Sequence, residues 1–258
     1  MTILYVNGCS HTAGAELVGA GQIDNSSNPR WDNREISWSG QLHKSNFSSW
    51  QYMNNAYSGS NNESIALNTI NDIEQLMLDG EKDIRVLIGW TYPGRYQFEI
   101  PDDLKCYKHK AKFFIGHSMS RDLESIPYTK QLWEGLNSIH NILEDEKTFI
   151  RDYTLLANYL KSKNLKYCMI HFVWHPPNRM LDGVPQTIWL TDRYIHMYNL
   201  YDQDQSVIHC DTNSKTAEGW MNQNNYLDNI DGRVGHYTVD AHRDFARSIS
   251  EEVKKCLG

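Results

Sequence analysis

The sequence predicts an α/β domain of three layers, with helices on both faces of a central parallel sheet. Three observations predict it. Near-continuous apolar runs at 2–7, 84–90 and 166–173 have the character of strands buried on both faces. Residues 61–79, 148–163 and 239–256 instead repeat their apolar positions at helical spacing. The two kinds of segment alternate along the chain, as βαβ units require.

The elements follow in order. The run 2–7 stops at Gly8, and a helix is expected to begin near Thr12. The polar stretch 21–49, rich in Asn, Ser and Trp, reads as a long decorated loop with at most a short helix. The 61–79 helix places Ile65, Thr69, Ile70, Ile73, Leu76 and Met77 on one face, and Gly80 supplies its stop. Residues 84–90 (IRVLIGW) form the next strand, and the polar, aromatic segment 91–147 reads as an insertion with short helices of its own. A helix at 148–163 carries the stripe Phe149, Tyr153, Leu156 and Leu160, and the strand 166–173 ends before Pro176-Pro177. A short strand at 206–210, a loop rich in Gly, Asn and Asp, and a closing helix with Ala241, Phe245, Ile249 and Val253 complete the chain. Residues 1–258 therefore read as one domain, with insertions near 21–50 and 91–147.

Composition excludes several classes. With 25 basic against 32 acidic side chains in 258 residues, the net charge of -7 argues against binding to phosphate backbones, so no nucleic-acid partner is expected. No window approaches the ~20 apolar residues of a membrane span. The N-terminal residues lack the basic flank and apolar length of a secretory signal. The five cysteines are scattered with no Cys-x-x-Cys pair, which fits reduced thiols. A cytoplasmic location is expected. The 8 tryptophans and 15 tyrosines supply rings suited to pocket walls as well as to cores.

Ligands of open parallel sheets sit at the carboxyl ends of the strands, and three loops there carry chemistry. Gly8-Cys9-Ser10-His11-Thr12 follows the first strand, where a serine at a tight strand-to-helix turn has a nucleophile's exposure and an oxyanion donor in its own N–H. A simple capping role for Ser10 or Thr12 explains the same pentapeptide equally well. Ala56-Tyr57-Ser58-Gly59-Ser60-Asn61-Asn62-Glu63 opens the second helix. Gly59 permits close backbone approach there, and Ser60 with Glu63 matches a capping box. Near the C-terminus, residues 231–242 (DGRVGHYTVDAH) place His236 ahead of the last helix, where a histidine can act as general base.

In order and spacing this set resembles the SGNH (GDSL-like) hydrolase family. Gly8-Cys9-Ser10-His11-Thr12 is similar to the family's Gly-Asp-Ser-x-Thr block, with Cys9 in the Asp place. Asn55 to Gly59 looks like the Asn-x-x-x-Gly block, and residues 236–242 look like the His-Pro-Ser-x-x-Gly-His run. The motifs are most like those of members encoded by tailed bacteriophages, which would place the protein in a host cytoplasm or a virion. Residues 95–230 carry no family motif. The resemblance implies a flavodoxin-like three-layer sandwich and a Ser10, His236, Asp triad. It also implies an oxyanion hole at Ser10 and Gly59, with no metal or organic cofactor.

Two positions depart from the family pattern. Thr91 stands where the third block has asparagine; its hydroxyl offers one donor, and Asn61 or Asn62 could supply the missing amide. Arg233 stands where the triad Asp belongs, which makes Asp231 the first choice, with Asp228 and Asp240 as rivals. His11, Trp90, Arg95 and His175 lie on or beside these loops and are expected to line a substrate pocket. His171 and His175, on one face of a strand and roughly 13 Å apart, do not suit a shared metal. The expected activity is hydrolysis of an ester or O-acyl group on a small molecule or carbohydrate. A non-catalytic module with the same fold and an acyltransferase with the same triad are the alternatives.

Overall fold

The structure is a computed structural model that describes residues 1–15, 17, 31–57, 59–93, 95–99, 112–115, 142–172, 180–181, 184–185, 199–210, 216–224, 226, 229–230, 233–234 and 237–258. Its centre is a five-stranded sheet of β1 (Ile3–Gly8), β2 (Gln51–Asn54), β3 (Ile84–Trp90), β6 (Lys166–His171) and β9 (Val207–Ile208), in the order β2-β1-β3-β6-β9. Every pairing in it is parallel. Counted within the sheet this is the flavodoxin-like 2-1-3-4-5 order, as the sequence led us to expect.

Side chains alternate across the strands and build two cores. On one face Tyr5, Val86, Ile88 and Trp90 meet Ile65 and Ile73 of α4 (Asn62–Leu78) and Phe149, Tyr153 and Leu156 of α5 (Ile142–Ser162). On the other, Leu4, Val6, Leu87 and Ile170 meet Trp38 and Leu42 of α3 (Trp38–Asn46), Phe245 of α7 (Val239–Ser248) and Val253 of α8 (Ser250–Leu257). The fold is therefore the α/β/α sandwich expected.

Capping chemistry explains the helix limits. At the end of α4, Gly80 has φ +92°, its N–H donates to Met77 O at 3.1 Å, and Glu81 N–H donates to Leu76 O at 3.0 Å. This is a Schellman motif, and it makes Gly80 the stop that the sequence suggested. The expected closing helix is two helices, because the backbone turns at Ile249 (φ -95°, ψ 0°) while keeping that side chain buried.

Three elements differ from expectation. Residues 31–46 form two helices, α2 (Trp31–Ile36) and α3, and Trp38 is wholly buried, so this part of the expected loop belongs to a core layer. Strand β2, with the mixed sequence QYMN, has no apolar run to betray it; its parallel register with residues 3–6 of β1 makes it a strand. Within the expected insertion, β4 (Tyr96–Glu99) and β5 (Lys112–Ile115) pair antiparallel rather than forming short helices. Short antiparallel pairs also join β7 (Met180–Leu181) to β8 (Val184–Pro185) and β10 (Asn229–Ile230) to β11 (Arg233–Val234). A further helix, α6 (Ala217–Gln223), is capped by the Thr216 hydroxyl, which accepts from Gly219 N–H at 3.0 Å.

Candidate active site at the switch point of the sheet

The strand order reverses direction between β1 and β3, whose outer neighbours lie on opposite sides. At such a point the chain leaves two adjacent strands in opposite directions and opens a crevice beyond their carboxyl ends. The segments that emerge there are Cys9-Ser10-His11 after β1 and Thr91 after β3.

Two facing glycines let the chain turn there. Gly8 and Gly89 are register partners, and the Thr12 side chain rests on both. A Cβ on Gly8 would lie 2.6 Å from Gly89 O and 2.4 Å from Thr12 Oγ1, and one on Gly89 would lie 2.2 Å from Thr12 Oγ1. Helix α1 (Ser10–Ala13) can therefore start directly over the strand ends. Cys9, not Ser10, is its N-cap, and the cap makes no side-chain hydrogen bond. Ser10 sits inside the first turn and is only 3% exposed, so the exposure expected of it from its place after the strand is not observed. The capping explanation of Ser10 is thereby removed. Thr12 and Ala13 N–H both donate to Cys9 O, at 3.0 and 2.9 Å, which leaves the N–H groups at the very start of the turn as the ones without an intrahelical acceptor.

A polar clamp fixes the end of β1. Asn7 Oδ1 accepts from Gly8 N–H at 2.7 Å, and Asn7 Nδ2 donates to Thr69 Oγ1 at 3.0 Å. Tyr5 OH donates to Asp72 at 2.6 Å. Burial, and then the Asp72 charge, push the Tyr5 phenol well above its usual pKa. These bonds tie the strand end to α4.

The second loop continues the sheet past β2. Tyr57 N–H donates to Gly8 O at 3.2 Å, and Arg34 Nη2 donates to Ala56 O at 3.1 Å. Gly59 has φ +84°, the left-handed region that favours glycine. The capping box expected from Ser60 and Glu63 is corrected: Asn61 is the N-cap of α4, and its Oδ1 accepts from Ser64 N–H at 2.9 Å. Only the Nδ2 end of Asn61 remains as a donor toward any ligand. Asn62 binds Thr91 instead, accepting from Thr91 N–H at 2.9 Å and donating to Thr91 O at 3.1 Å. The Thr91 hydroxyl is fully buried and has no hydrogen-bond partner among the described residues.

His11 and Trp90, both expected to line a pocket, are buried. His11 stacks on Phe172 at 4.4 Å between centroids and meets Tyr237 at 5.9 Å. Trp90, expected as a pocket wall, is 0% exposed and packs edge-on against Phe149 at 5.8 Å. It is a core residue, because strand alternation turns its side chain onto the α4/α5 face. Arg95 is partly buried. Asp240, a rival for the acid, lies exposed in the first turn of α7 and pairs with Arg243 at 2.7 Å. His242 Nδ1 accepts from Trp38 N–H at 3.0 Å, which joins α3 to α7 and makes this buried histidine a structural one. His236, Asp231, His175 and Asp228 lie outside the described residues.

One buried ionisable group escaped the sequence reading. Asp152 of α5 is 2% exposed; its Oδ1 accepts from Arg151 at 2.8 and 2.9 Å, and its Oδ2 has no partner among the described residues. Burial pushes its pKa to about 6, and the Arg151 hydrogen bonds only partly offset that rise. It lies three residues after Phe149, whose ring meets both Trp90 and His171 at the strand ends. Only its place beside the apolar stripe 149–160 could have signalled it. Among the described residues, no group of three His, Cys, Asp or Glu side chains is placed to hold a metal ion, and no helix is long and apolar enough to cross a membrane.

The arrangement is that of a doubly wound sheet with a serine at its switch point. No family model matches the chain, and no curated protein does. Among solved structures, it is similar to a psychrotrophic esterase from Pseudoalteromonas sp. inhibited by monoethylphosphonate, at 12% identity and TM-score 0.47 over 99% of this chain and 98% of that one. It is likewise similar to a carbohydrate acetylesterase family member from Sinorhizobium meliloti, at 11% identity and TM-score 0.47 over 100% of both chains. A member of the lipolytic protein G-D-S-L family from Veillonella parvula aligns at 12% identity and TM-score 0.45 over 97% of both chains.

Proposed function

We propose that the protein is a serine hydrolase of the SGNH type acting on an ester or O-acyl group of a small molecule or carbohydrate. The observation that carries the reading is the position of Ser10. It stands in the first turn of α1 at the switch point and has no capping role. Its neighbour His11 is in ring contact with Tyr237, the residue that follows His236 in the chain.

In this reading Ser10 Oγ attacks the carbonyl carbon while its proton passes to His236. The tetrahedral oxyanion accepts from the N–H groups of Ser10 and Gly59 and from a side-chain donor, Thr91 or the Asn61 amide. Collapse expels the alcohol, which takes the proton back from His236, and water repeats the sequence to release the acid. Asp231 orients His236. Arg95, His11 and His175 line the approach.

Turnover of a panel of short-chain aryl esters and acylated sugars tests the proposal. Replacing Ser10 by Ala is expected to lower kcat by about 10³-fold or more on any ester the wild type cleaves. Equal background rates for wild type and Ser10→Ala across the panel would refute it.

A further inference from the structure

We propose that Cys256 is a thiol modification site that exchanges with small disulfides, and that Cys168 resolves the adduct into a disulfide joining α8 to β6. The two cysteines are far apart in the chain and meet where β9 begins to pair with β6. Cys168, on β6, is wholly buried on the face covered by α7 and α8. Cys256, in the last turn of α8, is half-buried against the same core. Both are thiols, and hydrogen bonds bring them to one turn of the chain. Met169 N–H, next to Cys168, donates to Ser206 O at 2.7 Å, and the Cys256 thiol donates to Gln205 O at 3.4 Å. The Cys168 thiol is in turn within hydrogen-bonding reach of the Cys256 sulfur.

A cavity of about 270 Å³ gives access to one sulfur of the pair. Cys256 lines it together with Trp220, Ile249, Glu252 and Lys255, between the β9 edge and the turn from α7 to α8, while Cys168 stays sealed in the core. Cys210 also lines the cavity, but its thiol is turned to Ile208 O at 3.8 Å. The electrostatics divide the roles in the same sense. A hydrogen bond from the Cys168 thiol holds the Cys256 thiol below its usual pKa and outweighs burial, whereas burial pushes the Cys168 thiol well up. An accessible thiolate beside a resolving cysteine is the arrangement that oxidises selectively. The Cys256 thiolate attacks one sulfur of the small disulfide, forms a mixed disulfide and expels a thiolate, which takes up the proton that Cys256 gave away. The Cys168 sulfur then attacks the Cys256 sulfur, and the second small thiolate leaves with the Cys168 proton. Two protein thiols are oxidised, and one small disulfide is reduced to two thiols.

Incubation of the folded chain with bis(2-hydroxyethyl) disulfide, alkylation of the remaining thiols and peptide mapping by mass spectrometry test it. In the wild type the peptides containing Cys168 and Cys256 should be recovered joined, and dithiothreitol should separate them. Cys168→Ala should instead retain the mixed disulfide on Cys256, because nothing resolves it. Cys256→Ser should leave Cys168 reduced, since the buried thiol has no access of its own to the reagent. If Cys168→Ala does not yield folded protein, the wild-type map and Cys256→Ser decide the matter by themselves. A wild type that stays fully reduced, one that carries its adduct on another cysteine, or one that keeps a mixed disulfide on Cys256 beside an alkylated Cys168 would overturn the proposal.

Discussion

Two buried carboxylates at opposite ends of the sheet are held in opposite ways. Asp204 lies just ahead of β9 at the amino end, its side chain 5% exposed. Its Oδ2 accepts from Tyr153 OH at 2.6 Å, Tyr167 OH at 2.7 Å and Lys161 Nζ at 3.0 Å, and its Oδ1 accepts from Ser206 N–H at 2.9 Å. Burial alone would raise its pKa, but these donors outweigh burial and hold the carboxyl below its usual range. Asp152, near the carboxyl ends of β3 and β6, has only the donors of Arg151, and its second oxygen is unpartnered among the described residues. There burial wins. A fully paired carboxylate anchors a fold, whereas an incompletely paired one costs stability. The hydroxyls of Thr12 and Thr91 and the indole N–H of Trp90, also buried and unpartnered among the described residues, lie near the same carboxyl end. Several incompletely paired groups thus lie where the fold predicts a site, although Arg85 Nε at the amino end of β3 and His43 Nδ1 in α3 also have no hydrogen-bond partner among the described residues.

Removing the anchor should have the largest effect. Asp204→Ala leaves two buried phenols and a backbone N–H without their acceptor and is expected to destabilise by about 3–4 kcal/mol in chemical denaturation. Because its folded pKa is depressed, the contribution of Asp204 is present above the ordinary carboxylate pKa and is lost as pH falls through the folded value. Fluorophosphonate labelling at Ser10 in the protein that remains folded should proceed at the wild-type rate. Loss of labelling there would blur the separation between the two ends.

Asp152 gives the opposite sign. Its raised folded pKa means that its favourable contribution is present below about pH 4 and is lost as pH rises through about 6. Asp152→Asn keeps an acceptor for Arg151 and is expected to stabilise by about 2 kcal/mol at pH 8, with the gain shrinking toward pH 4. A destabilised Asn variant at pH 8 would show that the unpaired oxygen has a partner worth more than its burial costs.

The glycine pair gives a smaller, sharper test. Gly89→Ala is expected to cost about 2 kcal/mol through the clash with Thr12 Oγ1, and Thr12→Ala in the same chain should recover most of it. Gly8→Ala should not be rescued this way, because its Cβ also meets the backbone oxygen of Gly89. Thr91→Val should have the smallest effect on stability, a gain of about 1 kcal/mol, since the buried hydroxyl it removes makes no hydrogen bond among the described residues.

What was legible in the sequence follows from which forces act locally. Strands β1, β3 and β6 were readable because burial on both faces leaves an uninterrupted apolar run, and α4 was readable because its stripe and its glycine stop are local. Strand β2 was not, because its four residues are held by pairing with β1 rather than by their own pattern. Trp38 looked like loop decoration because the faces it fills, Phe172 and Phe245, are far along the chain. Ser10 and Gly59 stood out through their positions after strands, and the structure places Ser10 in the first turn of α1 and Gly59 in the left-handed region. The roles of Asn62 and Asp152 were hidden, since one depends on a backbone partner across the sheet end and the other on packing alone.

The most direct measurement is mass spectrometry of the intact, folded chain after brief exposure to a fluorophosphonate. An activated serine should give a single adduct on the peptide containing Ser10, absent from Ser10→Ala. An unmodified wild-type chain, or an adduct on another residue, would contradict the assignment of Ser10 as the nucleophile.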